Sequence, residues 1–292
     1  MTRTVLLVFV LGFSTSALAQ EFSYGFKTGL NYNTFVSDSE TDDAGNELEK
    51  FTNNSGFHVG ATFAWKATEL MGVRGELLFS QKGGNRDFDG TSYYTFTTTT
   101  GNKIFTTGTR KMTLNVTNSY LSIPVMGYFK PAKWVEIYAG GSLSFLIASS
   151  AFGELTYEGK TSTGVAISKF THEIDANYYG DKAGEVDFAS SPPTVQIGSE
   201  KIPLPQSAGA YFEFTEDRGK LYKTIETSVL GGISFYLNRG LYLSARANYS
   251  LNDVTKTKAD ISLVKLDSDK NFITRDDNDR NLSLQFSIGF SL

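Results

Sequence analysis

An eight-stranded antiparallel up-and-down transmembrane β-barrel with long extracellular loops is the all-β fold class this sequence predicts. Three observations predict it. Apolar residues recur with a period of two in eight separate segments. The connections between those segments alternate long and short. The chain opens with a segment built like a secretory signal.

The N-terminal elements come first in the chain. Arg3 supplies a positive charge, Val5 to Phe13 form an apolar run, and Ala17-Leu18-Ala19 gives a small-x-small cleavage pattern. That run is too short to span a bilayer, which takes about 20 apolar residues. Residues 1–19 are therefore read as a signal peptide and 20–292 as one barrel domain.

The eight segments follow. In 23–35, Tyr24, Phe26, Leu30 and Tyr32 share one face against Lys27, Gly29 and Asn31. In 55–65, Phe57, Val59, Ala61, Phe63 and Trp65 oppose His58 and Thr62. Segment 72–82 sets Val73, Leu77 and Phe79 against Arg74, Glu76, Ser80 and Lys82. Segment 118–129 places Leu121, Ile123, Val125 and Phe129 together, and its other face (Tyr120, Pro124, Met126, Tyr128) is not polar. Segments 134–147, 224–237 and 241–251 repeat the alternation, with Glu136, Glu226 and Arg246 opposite the aliphatic side. The last, 281–292, alternates Leu282, Leu284, Phe286, Ile288, Phe290 and Leu292 with small or polar residues.

All seven charges in these strands, Lys27, Arg74, Glu76, Lys82, Glu136, Glu226 and Arg246, fall on the face opposite the aliphatic one. Lipid excludes charge, so this is what a membrane strand requires. A soluble sandwich would also keep charge off its core face. Loop lengths separate the two. The long connections, 36–54, 83–117, 148–223 and 252–280, alternate without exception with short ones at 66–71, 130–133 and 238–240. Outer-membrane barrels have short periplasmic turns and long outer loops. Trp65 and Trp134 sit at strand ends beside short turns, where an interfacial aromatic belt would place them.

Composition excludes other classes. The absence of cysteine removes disulfides, thiolate metal sites and a cysteine nucleophile. A net charge of -4 gives no reason to expect nucleic acid. A mean hydropathy of -0.20 argues against a helical membrane bundle but not against a barrel, whose strands meet lipid with alternate residues only.

The segments RGELLFSQKGG (74–84), NSYLSIPVMGYF (118–129), VEIYAGGSLSFLI (135–147), LYLSARANYSL (241–251) and LSLQFSIGFSL (282–292) resemble the PorT-like outer-membrane β-barrel family typical of Bacteroidetes. The resemblance implies an outer-membrane barrel of a Gram-negative bacterium, N-terminus periplasmic. It covers strands and turns and not the long loops. One family member is linked to a type IX secretion apparatus, and nothing in these residues transfers that role.

Eight strands make a lumen just wide enough to be filled by side chains. Lys27, His58, Arg74, Glu76, Glu136, Glu226 and Arg246 are therefore expected to form a plug of ion pairs and hydrogen bonds. Arg74, Glu76 and Glu136 should lie toward the periplasmic end and Arg246 nearer mid-height. The strands exceed the roughly 9–11 residues a membrane strand needs, so the barrel should project on the loop side. Two loops carry hairpin signals, one at 93–109 around Gly101-Asn102, the other at 210–226 around Glu216 to Gly219. A ten-stranded barrel drawing on 150–215 is the architectural runner-up.

An enzymatic alternative must use the two histidines, His58, which could pair with Glu226, and His172 in the third loop. No nucleophile accompanies them, and there is no P-loop, GxSxG or HExxH. The acidic runs SDSETDD (37–43) and RDDNDR (275–280) offer oxygen ligands without the spacing of a calcium loop. The resulting expectation is a monomeric protein without cofactor or metal. Its partners are the lipid bilayer, outer-membrane lipids and a protein or surface met by the loops. The alternatives are a small-barrel lipid-modifying enzyme or protease using His58, and a secretion component.

Overall fold

A computed structural model describes residues 21–98 and 101–292. The signal-like segment lies outside the described residues. Eight long strands organise the fold: β1 (Glu21–Val36), β2 (Asn54–Lys66), β3 (Met71–Thr97), β4 (Lys103–Ala132), β5 (Val135–Thr161), β6 (Ile225–Tyr236), β7 (Leu241–Ser250) and β8 (Arg280–Ser291). Each pairs antiparallel with its sequence neighbours. β8 returns to β1, from Gly25↔Ser291 to Val36↔Arg280, so the pairing forms a ring of eight.

In the lower part of this ring the expected alternation is observed. Phe26, Leu30, Phe57, Phe63, Val73, Leu77, Ile123, Val125, Ile137, Val229, Phe286 and Ile288 are exposed on the outside. Lys27, Asn31, His58, Arg74, Glu76, Glu136, Glu226, Arg246 and Gln285 are buried inside. The apolar inner face of 118–129 has a place too. Met126 and Tyr128 pack with Tyr138 and Leu230 in a small cluster inside the ring, near the short turns.

Three strands are far longer than the periodicity predicts: β3, β4 and β5 run 27, 30 and 27 residues. Segment 83–117 is therefore not a loop. Most of it continues β3 and β4, paired from Met71↔Phe129 to Thr97↔Lys103. The signal at 93–109 marks the tip of this same hairpin, with Gly101 at a φ of 85°. Likewise, β5 takes the first part of 148–223, and the strand Ala166–Asn177 folds back along its outer half.

The alternation of β5 breaks where the sequence pattern stops. Ile147 and Ala148 are both exposed, and the β4–β5 register shifts between Ser119 and Tyr120. Below this bulge the inward residues are even-numbered (Glu136, Tyr138, Ser142, Ser144, Leu146); above it they are odd (Ser149, Ala151, Leu155, Tyr157). One extra residue moves every later side chain to the opposite face.

The hairpin expected at 210–226 does not form. Residues 210–213 are turns, and Tyr211, Phe214, Leu221 and Tyr222 all point into one core. The Glu213 carboxylate meets the buried Arg110 guanidinium at 2.5 Å. A regular hairpin would turn alternate residues outward and break both arrangements. The ten-stranded alternative also fails, because Ala166–Asn177 pairs with β5 and does not enter the ring.

Inside the ring, tyrosines lie across cross-strand glycines in the pairs Gly72↔Tyr128, Gly232↔Tyr138 and Tyr242↔Gly289. A Cβ at Gly289 would collide with the Tyr242 ring, whereas a Cβ at outward-facing Gly127 meets nothing within 4 Å. Gly289→Val is thus expected to cost about 1–3 kcal/mol by overpacking. The check is the temperature at which the compact, fast-migrating form is lost on an electrophoresis gel. Gly127→Ala should leave that temperature unchanged.

Candidate functional site

Two buried systems stack along the ring axis. The lower one is polar. Lys27 Nζ reaches Glu76 at 3.2 Å, Arg246 reaches the same carboxylate at 2.8 Å, and Arg246 Nε donates to Gln285 at 2.9 Å. Nearer the short turns, Arg74 pairs with Glu136 at 2.7 Å, and the Tyr236 hydroxyl donates to Glu136 at 3.1 Å. Toward the loops, Lys82 pairs with Glu226, which also accepts from Asn281 at 2.7 Å. Each carboxylate is supplied by one strand and its cations by others, so the network ties non-adjacent staves across the lumen. Lys82 joins this system, and it was already legible as one of the seven charges on the polar face.

His58 is fully buried but stands apart from the carboxylates. Its Nδ1 lies 2.6 Å from Asn31 Oδ1 and its Nε2 lies 2.8 Å from Ser287 Oγ. The pairing with Glu226 that the enzymatic alternative would use is not made; that carboxylate meets Lys82 and Asn281. Both aromatic positions lie at the short-turn end. Trp134 is exposed and stacks on Phe235 with centroids 6.2 Å apart, and half-buried Trp65 pairs in register with Val73.

The upper system is apolar and was missed by the loop assignment. Above the bulge the inward faces carry Phe88, Tyr94, Phe96, Met112, Leu114, Val116, Leu155 and Tyr157. Loop residues Ile174, Ile197, Ile202, Tyr211, Phe214, Tyr222, Val254 and Ile261 close over them into one core. A period-two signal existed in Met112, Leu114 and Val116, set against Thr113 and Asn115. His172 belongs here, stacked on Phe170, with Nε2 3.4 Å from the Tyr94 hydroxyl. Burial pushes its pKa down, so it sits neutral among aromatics.

The acidic runs serve this upper part. Asp42 accepts from the backbone N–H groups of Ala44 and Asn46 at 2.9 and 2.8 Å, closing a tight turn, and Glu40 accepts from Leu263 N–H at 2.8 Å. In the second run, Asp277 and Asp279 come within 4.8 Å of Asp260. Arg275 pairs with Glu49 at 3.0 Å and with Asp277 at 2.5 Å, and Arg86 also pairs with Glu49. Four carboxylates thus face two guanidinium groups. Burial, and then neighbouring Asp279, push Asp260 up to about 7 against the pull of Arg86.

A family model for the outer membrane protein beta-barrel domain matches residues 18–256. The chain belongs to that family. It is accordingly a membrane-embedded barrel protein of the outer membrane. No curated protein matches it. Among solved structures, the attachment invasion locus protein Ail of Yersinia pestis is similar at 12% identity. That alignment covers 93% of this chain and 99% of Ail, with a TM-score of 0.34. Neisserial surface protein A is 11% identical over 92% and 98% of the two chains, at 0.36. OprG of Pseudomonas aeruginosa is 12% identical over 94% and 97%, also at 0.34. These likenesses are too distant to carry a function across.

Two outcomes test the buried systems of this outer-membrane barrel. Glu76→Leu strands Lys27 and Arg246 without their shared counter-charge and should cost about 3–5 kcal/mol. Removal of exposed Glu69 should change stability by less than about 1 kcal/mol. Both read out in the same thermal gel assay. The second outcome concerns Asp260, whose folded pKa exceeds that of an unfolded aspartate. Between the two values the folded loops hold a proton that the unfolded chain has released. Stability therefore falls as pH rises through that window and levels off above about 7. Protease cleavage of the loop side should be faster at pH 8 than at pH 5, and Asp260→Asn should flatten the dependence.

Proposed function

We propose that the ring crosses the outer membrane as an eight-stranded barrel of the PorT-like kind. Residues 1–19 direct export, the N-terminus and short turns face the periplasm, and the long connections face outward. The lumen is plugged by the ion pairs around Glu76, Glu136 and Glu226. The role is structural or adhesive: a rigid membrane anchor holds a folded outer module against a partner or surface. No catalytic step is assigned to His58, whose partners are an amide and a hydroxyl.

The observation that carries this reading is the loop-side core. Strands that continue past the apolar band and bury their own aromatic interior are more than a membrane anchor needs. Their outward faces above the band are mostly polar, with Thr113, Asn115, Glu154 and Glu158 exposed and Phe152 the apolar exception on β5. Loops positioned on a rigid scaffold are where binding concentrates.

The absence of native cysteine allows a clean test of orientation. A single cysteine at Gly198, in an open turn of the outer module, should react with a membrane-impermeant maleimide on intact cells; one at Asn238, in a short turn, should react only after lysis. Planar bilayers carrying the protein should show no steady conductance. Attachment of expressing cells to glass and to one another should fall when residues 181–206 are replaced by a short linker. Unchanged attachment removes the adhesive role, and steady conductance removes the plugged lumen.

A further inference from the structure

At the loop end, a cleft of about 420 Å³ lies between the β3–β4 hairpin, the end of β5 and the short hairpin within 261–274. Its size falls within the roughly 300–1,000 Å³ of small-ligand sites. Tyr93, Val264 and Leu266 form its apolar part. The Tyr93 hydroxyl donates to the Ser262 carbonyl at 2.8 Å, and Ser92 Oγ donates to the Leu263 carbonyl. The 261–266 strand is thereby fastened to β3, and the cleft is preformed. Thr107 and Ser162, both exposed, line it with hydroxyls bonded to nothing else among the described residues.

The charge of this cleft is positive. Lys160 and Lys270 line it, and no carboxylate does. Lys111 on β4 pairs with Asp89 and Lys265 in the hairpin pairs with Asp43, each at 2.7 Å. Lys160 and Lys270 make no ion pair among the described residues. Asp267 is turned to its own loop, accepting from the N–H groups of Asp269 and Asn271 at 2.9 and 2.7 Å. Glu158 and Asp269, sequence neighbours of the two lysines, lie outside the walls. Lys270 Nζ stands 5.1 Å from the centroid of the Phe105 ring, which holds the ammonium at the cleft.

Lys270 holds its place against backbone preference. The turns at 42–46, 161–165 and 267–271 share one form. In each, the first N–H bonds to the fifth carbonyl and the fourth N–H to the first carbonyl. The fourth residue has a positive φ in all three, 85° at Gly45, 86° at Gly164 and 63° at Lys270. Glycine takes that conformation freely and lysine does not. Among the described residues Lys270 is the one non-glycine residue at positive φ. Strain kept where glycine would remove it points to a use for the side chain. We propose that this cleft binds a carboxylated saccharide, its carboxylate meeting Lys160 and Lys270 and its hydroxyls meeting Thr107 and Ser162. An acidic peptide would satisfy the lysines and leave the hydroxyls unused. The proposal names the chemistry of the surface that the adhesive reading leaves open, and it rests on that reading for its setting outside the cell.

The full chain, purified in detergent, is titrated at low salt with tetragalacturonate, with the neutral galactose tetramer and with hexaglutamate, binding being read by calorimetry. Tetragalacturonate should bind, and more weakly as salt is raised, while the neutral tetramer should not bind. Lys160→Gln should weaken binding about tenfold through loss of one charge-assisted contact. Lys270→Arg should keep it, and Lys111→Gln, outside the cleft, should leave it unchanged. Lys270→Gly separates use from structure. It should weaken binding about tenfold yet slow chymotryptic cleavage of the loop side, because the turn is relieved of strain. No binding of tetragalacturonate, equal binding of the neutral tetramer, or unchanged binding by Lys270→Gly overturns the proposal. So does tighter binding of hexaglutamate, which assigns the cleft to an acidic peptide. The cleft lies outside residues 181–206, so this site and the adhesive role tested by replacing that segment fail independently.

Discussion

The backbone of each of the eight ring strands gives its hydrogen bonds to a strand on either side, and β8 completes the circuit with β1. In hydrocarbon no water can satisfy a free N–H or C=O, so a spanning sheet must have no edge. The rest follows from that requirement. An even number of antiparallel staves brings the first and last strands together. The ring is narrow, so its interior fills with side chains instead of water. The outer face meets lipid and must be apolar, which leaves the inner face to take every charge. A charge placed there needs a partner across the lumen, and Glu76, Glu136 and Glu226 each serve that purpose.

The three long strands, β3, β4 and β5, then reverse the rule. Below the bulge at Ile147–Ala148, β5 turns apolar residues outward and polar ones inward; above it Ala151, Leu155 and Tyr157 face in while Glu154 and Glu158 face out. On the proposed orientation solvent changes at that level, and the sequence changes with it. In lipid, the buried face is held by ion pairs. In water, it is held by the hydrophobic effect, which needs an aromatic core and loops to cover it. The acidic runs belong to the second regime, where Asp42 closes a turn and Asp277 pairs with Arg275.

How much of this was legible follows from the same boundary. All eight staves, their order and their lipid-facing residues could be read from alternation, because one face met lipid along its whole length. Reading stopped at Lys82, Asn118 and Ile147. Past Gly83-Gly84 aliphatic residues no longer recur at alternate positions, and in β5 the bulge changed the parity. The upper core depends on contacts between residues far apart in the chain, such as Glu213 with Arg110 and Ser92 with Leu263, which no local pattern encodes. In the lumen the charged set was readable but the pairing was not. Height along a tilted stave depends on shear, so His58 fell beside Asn31 and Ser287 instead of Glu226.

Spin labels placed singly along β8, from Asn281 to Ser291, test the central inversion most directly. The account predicts a strict period of two in vesicles: high oxygen and low chelate accessibility at Leu284, Phe286 and Ile288, and low values for both at Ser283, Gln285 and Ser287. Chelate access at the even positions, or no alternation, would contradict a ring whose apolar side is held in lipid.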